Sequence, residues 1–196
     1  MADHSITASG DTGPIPVDDP QRVLTISAPT DPDLSVVSLA GDTYTILISS
    51  AQTEGRYCLI DMLVPDGGGP PLHRHDFEEM FTLLEGELEF TFRGKTFTVK
   101  APANINIPAN APHRFQNRSG RMTHMLCMCT PGGQDEFFLS VGMPIDKGAP
   151  PSPKLSEEEA ESRRALAQRL APKYRTEMLG HPQQPIRDRH LKQQPP

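Results

Sequence analysis

The chain has no tryptophan and only three tyrosines, and aromatic residues make up 6% of its 196 positions. Apolar residues reach 36%, and the deficit is uneven. Residues 1–21 and 181–196 are polar and rich in proline. Such segments bury too little apolar surface to offset the entropy of ordering them, so both are expected to be flexible. His4, His181 and His190 lie in these tails. The remainder, 22–180, is long enough for one sizeable core.

Long apolar runs are missing as well. No stretch approaches the ~18 apolar residues a membrane helix needs. The N-terminus has no basic segment followed by an apolar one, so no secretory signal is visible and a cytoplasmic location is expected. The net charge is −6, from 19 basic and 25 acidic residues, with no basic stripe. Arg187, Asp188, Arg189 and Lys192 form only a mixed-sign cluster near the end. Neither nucleic acid nor membrane is an expected partner. Cysteine is scarce: Cys58, Cys127 and Cys129. An odd count without an export signal argues against a disulfide framework. Cys127 and Cys129 alternate in THMLCMC, share a strand face, and read as small core hydrophobes.

What the sequence does have is strands. TYTILI alternates at Tyr44, Ile46 and Ile48, while RYCLIDMLV is apolar at nearly every position, as in a strand covered on both faces. ELEFTF places Leu88, Phe90 and Phe92 on one face, Arg93-Gly94 turns the chain, and KTFTVK returns it. NINIP, HRFQN and HMLCMC continue the pattern. Many short strands separated by Gly, Pro and Asn imply an all-β barrel or sandwich over 22–150. In 151–180 the pattern becomes helical. Ser156 and Glu159 form a capping box, Glu157 to Glu159 suit the helix dipole, and Leu166 and Leu170 share a face, giving a helix over about 156–170.

One stretch stands apart: GGGPPLHRHDFEEMFTLLEG, residues 67–86. His73 and His75 point to the same side of a strand. Glu79 has the parity of Phe81 and Leu83, so it faces the interior if they do. A buried carboxylate is costly unless something positive meets it. Two imidazoles and a carboxylate converging on one point are a set that a divalent metal satisfies. The competing reading is a polar, solvated loop. A third imidazole is available at His113, with Phe115 and Asn117 on its face and Asn110 suited to a left-handed turn before it. Glu78 has the opposite parity to Glu79 and reads as solvated. His124, opposite in parity to Cys127, reads as an ordinary surface or packed histidine.

Gly67-x5-His73-x-His75-x3-Glu79-x6-Gly86 resembles the first motif of the cupin family. Pro108-x-Asn110-x2-His113-x3-Asn117 resembles the second, with Asn110 in place of the usual Gly. Pro102 stands where that motif usually has a Gly, which implies a differently shaped turn. The core motifs span 67–117 and the resemblance about 40–145. It implies a double-stranded β-helix, the cupin jelly-roll barrel, followed by the C-terminal α-helix, and a homodimer. It also implies one divalent transition metal on His73, His75, Glu79 and His113. Fe, Mn, Ni, Co, Cu and Zn are not distinguished by these ligands.

YTILISSAQTEGRYCLIDMLVPDGGGPPLHRH and PKYRTEMLG further resemble the single-domain cupins similar to quercetin dioxygenase. That implies a metal-dependent dioxygenase acting on a small aromatic or enolic substrate, with Glu79 as catalytic base. The alternatives are a redox-free isomerase, lyase or hydrolase, and a non-catalytic small-molecule binder. The redox-free reading needs a second base, and the sequence shows none. Phe81, Phe90, Phe92 and Phe115 are candidates for a substrate pocket, with core packing as the competing role.

Overall fold

The computed structural model describes residues 13–146 and 156–179. His4, His181, His190 and the tail 181–196 lie outside them. Regular structure begins at β1 (Val36–Leu39) and continues through β2 (Asp42–Ile48), β3 (Cys58–Val64), β4 (His73–His75) and β5 (Glu78–Glu85). Then follow β6 (Glu87–Phe92), β7 (Lys95–Lys100), β8 (Ala103–Ile107), β9 (His113–Gln116) and β10 (Thr123–Thr130). The chain closes with α1 (Gln134–Val141), β11 (Met143–Pro144), α2 (Glu157–Leu170), a short 3-10 turn and β12 (Thr176–Met178). All pairings are antiparallel, in two sheets ordered β11-β1-β2-β3-β10-β5-β8 and β12-β4-β9-β6-β7. This is the all-β jelly-roll barrel the sequence implied, with its C-terminal helix.

Alternation builds the interior. Thr123, Met125, Cys127 and Cys129 of β10 point inward, as do Cys58, Ile60, Met62 and Val64 of β3. The hairpin turns obey local chemistry: Arg93 and Gly94 both take positive φ (48° and 79°), as a two-residue turn matched to strand twist requires. β7 is an edge strand, almost wholly exposed, with Lys95 and Lys100 at its ends. Charged edges of this kind resist pairing with another chain.

Three local expectations are revised. β3 is not covered on both faces: Leu63 on its outer face is exposed and Leu59 only half-buried. Its outer Asp61 is buried, but against His124, whose Nε2 is 2.6 Å from Asp61 Oδ2. β2 does not alternate cleanly either. A bulge between Ile46 and Ile48 inserts Leu47, which is buried, while Ile48 is only half-buried. Glu78 is not simply solvated; its carboxylate accepts from Ala109 N and Asn106 Nδ2, at 3.1 and 3.2 Å, and so holds the turn before β9. At the proline substitution in the second motif, the Ala101–Pro102 peptide is cis.

The C-terminal segment is a cap. Ser156 and Glu159 form the expected box, with each backbone N–H bonded to the other's side chain. Leu166, Ala167 and Leu170 pack on the core, and Arg163 donates to the carbonyls of Val141 and Gly142 at the end of α1. The chain then returns as β12, which pairs with β4 so that Thr176 lies opposite His75 and Met178 opposite His73. Arg74–Glu177 and Arg175–Asp76 ion pairs flank this ladder.

Candidate metal centre

β4 is three residues long and carries two of the candidate ligands. It lies between β12 and β9, with His73 directly opposite His113. Glu79 reaches the same point from β5, in the other sheet. The loop before β9 sets His113 in register. Asn110 takes φ of 68°, as expected of the turn, and its N–H donates to His75 O at 2.6 Å. Asn117 closes the far end of β9, donating to Val64 O and Arg121 O and accepting from Ser119. Gly69, with φ of 126°, lets the chain before His73 pass against the Phe115 backbone, where a Cβ would clash.

The four side chains meet. One ligand atom from each of His73, His75, Glu79 and His113 lies within 4.8 Å of every other, and all four residues are buried. Each histidine Nδ1 is 2.9 Å from a backbone carbonyl, of Pro71, Phe77 and Ala111 respectively. A carbonyl only accepts, so Nδ1 carries the proton and the Nε2 lone pairs face inward. The Nε2 atoms of His75 and His113 lie 3.1 Å from Glu79 Oε2. Lone pairs facing a carboxylate at that range repel unless a proton or a cation joins them.

The titration of the group follows the same logic. Burial pushes the Glu79 carboxyl up, but hydrogen bonds from His113 and His75 outweigh it and hold it well below the usual range. Burial pulls His113 down, and its bond to Glu79 more than restores it, leaving it raised. Burial and the nearby His113 take His73 down to about 4. A divalent ion in place of those protons would give every Nε2 lone pair a partner and neutralise the buried carboxylate. By donor chemistry the site fits a metal.

The family described as Cupin domain matches residues 60–129, which include all four candidate ligands. That match covers the middle of the barrel, from β3 to β10. Among curated proteins the chain is 29% identical over 128 residues to quercetin 2,3-dioxygenase of Bacillus subtilis, covering 65% of this chain and 37% of that one. It is 34% identical over 74 residues to an uncharacterized protein of Methanocaldococcus jannaschii, covering 37% of this chain and 59% of that one. The chain therefore spans less than two thirds of either relative. Among solved structures it is similar to the polyketide cyclase RemF from Streptomyces resistomycificus, with a TM-score of 0.49, 23% identity, and 72% and 94% of the two chains covered.

These candidate ligands open onto a cavity of about 780 Å³ bounded by both sheets, α1 and α2. His73 and Glu79 line it, and Phe81, Phe115, Phe137 and Phe138 make an aromatic wall. Phe81 and Phe115 are thus at the cavity. Phe90 and Phe92 are not among its lining residues. Phe90 sits behind the other two rings, its centroid 5.8 Å from Phe81 and 5.7 Å from Phe115. Phe92 is half-buried at the end of β6, with Arg93 over its ring.

Two features of the centre were not singled out from sequence. Cys127 is more than core filling: its Sγ is 3.3 Å from Glu79 Oε1 and 3.7 Å from Cys129 Sγ. A hydrogen bond from Cys129 pulls the Cys127 thiol down, but burial and the Glu79 charge push it up to about 12. It is therefore a thiol that donates to the carboxylate oxygen the histidines leave free. The second feature is Asp42, 1% exposed and on the cavity wall. Its signal was available. Asp42 shares parity with Tyr44 and Ile46, the same pattern that marked Glu79.

Proposed function

We propose that this cupin is a metal-dependent dioxygenase acting on a small aromatic or enolic substrate. The observation that carries this reading is the placement of a three-histidine, one-carboxylate set at the wall of an aromatic cavity large enough for a flat ring system. The likeness to quercetin 2,3-dioxygenase supports it. A divalent transition ion held by His73, His75, Glu79 and His113 would supply a Lewis-acidic, redox-active position with coordination sites left for other ligands.

The chain's own residues do the rest. Phe81 and Phe115 hold the substrate ring in the cavity and exclude water beside the ligands. Glu79 takes the proton from the substrate hydroxyl. Its bonds to His75 and His113 hold its basicity down, and burial raises it once those imidazoles are otherwise engaged. Cys127 keeps the other carboxylate oxygen in place meanwhile. Oxygen uptake with quercetin and simpler phenols or enols tests the reading. Dioxygen consumed in step with substrate, and lost in Glu79→Gln, is the expected result.

Turnover without dioxygen would instead favour a redox-free lyase, isomerase or hydrolase. The second acid or base that reading requires is present in Asp42, in the same cavity. Binding without turnover would leave a small-molecule carrier. A cytoplasmic location and a homodimer belong to the same proposal. No helix among the described residues is long and apolar enough to cross a membrane, and light scattering on the full chain tests the dimer.

A further inference from the structure

The two oxygens of Glu79 meet different chemistry. Oε2 lies 3.1 Å from the Nε2 atoms of His75 and His113. Oε1 faces thiols instead. Cys127 Sγ is 3.3 Å away, Cys129 Sγ is 3.9 Å away, and the two sulfurs are 3.7 Å apart. The strands fix this arrangement. Cys127 and Cys129 alternate on the inner face of β10, and β5 runs beside it with Glu79 opposite Cys129 and Phe81 opposite Cys127. A thiol is a weak donor, so the pair serves a buried, ionised carboxylate oxygen poorly.

The same three atoms form a triangle of the size a metal ion needs. With metal–sulfur bonds of about 2.3 Å, two thiolates on one ion stand roughly 3.8–4.0 Å apart. A thiolate and a carboxylate oxygen on that ion stand roughly 3.6–3.8 Å apart. The edges here are 3.7 Å between the sulfurs, and 3.3 and 3.9 Å to the oxygen. Donor softness selects the ion. Imidazole and carboxylate suit divalent transition ions, whereas paired thiolates select Cu(I). Coordination number points the same way. Cys127 and Cys129 are 1% and 0% exposed and are not among the cavity-lining residues. With three donors and both sulfurs shut off from solvent, zinc falls one ligand short of its tetrahedron. Cu(I) accepts three. The charges also balance: one divalent ion at the histidines, one Cu(I), two thiolates and the Glu79 carboxylate sum to zero, as a buried cluster requires.

We propose that Cys127, Cys129 and Glu79 Oε1 form a second metal site, selective for Cu(I), and that Glu79 bridges it to the histidine site through its two oxygens. Binding breaks two S–H bonds, forms two Cu–S bonds and one Cu–O bond, and releases two protons to solvent; no electron is transferred. Glu79 lines the cavity, so the ion enters past its carboxylate. Divalent ions stay with the histidines. Cys58, on β3, lies across Cys129 from Glu79 and is not a ligand. The bridge rests on the metal centre described above, whereas the thiol site stands without it.

The test is anaerobic titration of the full chain with Cu(I), supplied as its acetonitrile complex. The readouts are the ultraviolet thiolate-to-copper charge-transfer band and the copper retained after desalting. One Cu(I) per wild-type chain is expected, with the band, and the same in His73→Ala/His113→Ala. Binding should be about a hundredfold weaker in Cys127→Ser/Cys129→Ser, because the thiolates supply the affinity for a soft ion. It should be unchanged in Cys58→Ser. A wild-type chain without the band, a double serine variant that binds as well, or loss of the band in Cys58→Ser overturns the thiol site. Should the double serine variant fail to fold, Cys127→Ser decides alone, and undiminished binding there is equally fatal. The bridge is read on the chain preloaded with Co(II), whose visible bands should shift when Cu(I) binds; unshifted bands with Cu(I) in place contradict it. A chain that takes Cu(I) but no Co(II) refutes the histidine centre and spares the thiol site, and the reverse result does the opposite.

Discussion

Glu79 and Asp42 are two carboxylic acids on one cavity, 4% and 1% exposed. Burial pushes both carboxyls up, yet the outcomes are opposite: Glu79 ends well below the ordinary range and Asp42 at about 7. The difference lies in what meets them. Glu79 has two imidazoles on Oε2 and a thiol on Oε1. Asp42 meets only neutral donors, the Tyr44 hydroxyl on Oδ2 and the Gly69 amide. A buried acid surrounded by groups that can turn positive stays ionised and invites a cation. A buried acid facing neutral groups keeps its proton and invites a neutral partner.

That contrast can be broken from either end. The largest effect is expected from Glu79→Gln, which removes the charge at the ligand end while keeping its shape. Metal content should fall from about one ion per chain to near zero, read by elemental analysis, with any metal-dependent activity lost alongside. Asp42→Asn comes next. In the fold Asp42 holds its proton up to about pH 7, whereas the unfolded chain releases it near 3.8. Between those values the fold binds more protons than the unfolded chain. Its stabilising contribution is therefore full below about pH 4, falls as the pH rises, and is gone above 7. The asparagine variant should match the wild type at pH 4 and exceed it at pH 8 by ~4 kcal/mol, from ~1.4 kcal/mol per pH unit. Chemical denaturation of both chains across that range measures the difference curve. A flat difference would mean that Asp42 is not buried against neutral groups.

Smaller effects sharpen the contrast. Cys127→Ala removes the nearer of the two thiol donors on Glu79 Oε1, leaving Cys129 at 3.9 Å and all four candidate ligands in place. Support of this kind typically matters 10–100-fold in metal affinity, and because a thiol is a weak donor we expect about tenfold, measured by competition with a chelator. Ser156→Ala should have the least effect. It removes one half of the cap on α2 and costs ~1 kcal/mol. Since α2 roofs the cavity without supplying ligands, hydrogen exchange should rise over 157–170 while metal content is unchanged.

The parts of this molecule differ in how plainly the sequence shows them. His73, His75 and Glu79 lie within seven residues, so their spacing alone carries the geometry, and His113 follows from a second local pattern. The strands from β5 to β10 were legible because one inward and one outward face leave a clean alternation. β1, β12 and α1 were not. VVSL and TEM are too short to show a period, and α1 has only two turns, tied to the barrel where Asp135 accepts from Ser50 N at 2.8 Å. Asp42 and Gln134 line one cavity from elements 92 positions apart in numbering, although the inward parity of Asp42 was there to be read. Phe90 and Phe92 failed as cavity residues for a related reason. Parity places a side chain inside a barrel, but only the facing sheet decides whether it meets a cavity or another ring.

The most direct measurement is the metal content of the full chain as purified, beside the His73→Ala/His113→Ala variant, each repeated after reconstitution with Fe, Mn, Ni, Co, Cu and Zn. Four converging ligands predict close to one divalent ion per wild-type chain and none in the variant. A wild-type chain that binds no ion even after reconstitution, or a variant that binds as well, would contradict a metal centre at His73, His75, Glu79 and His113.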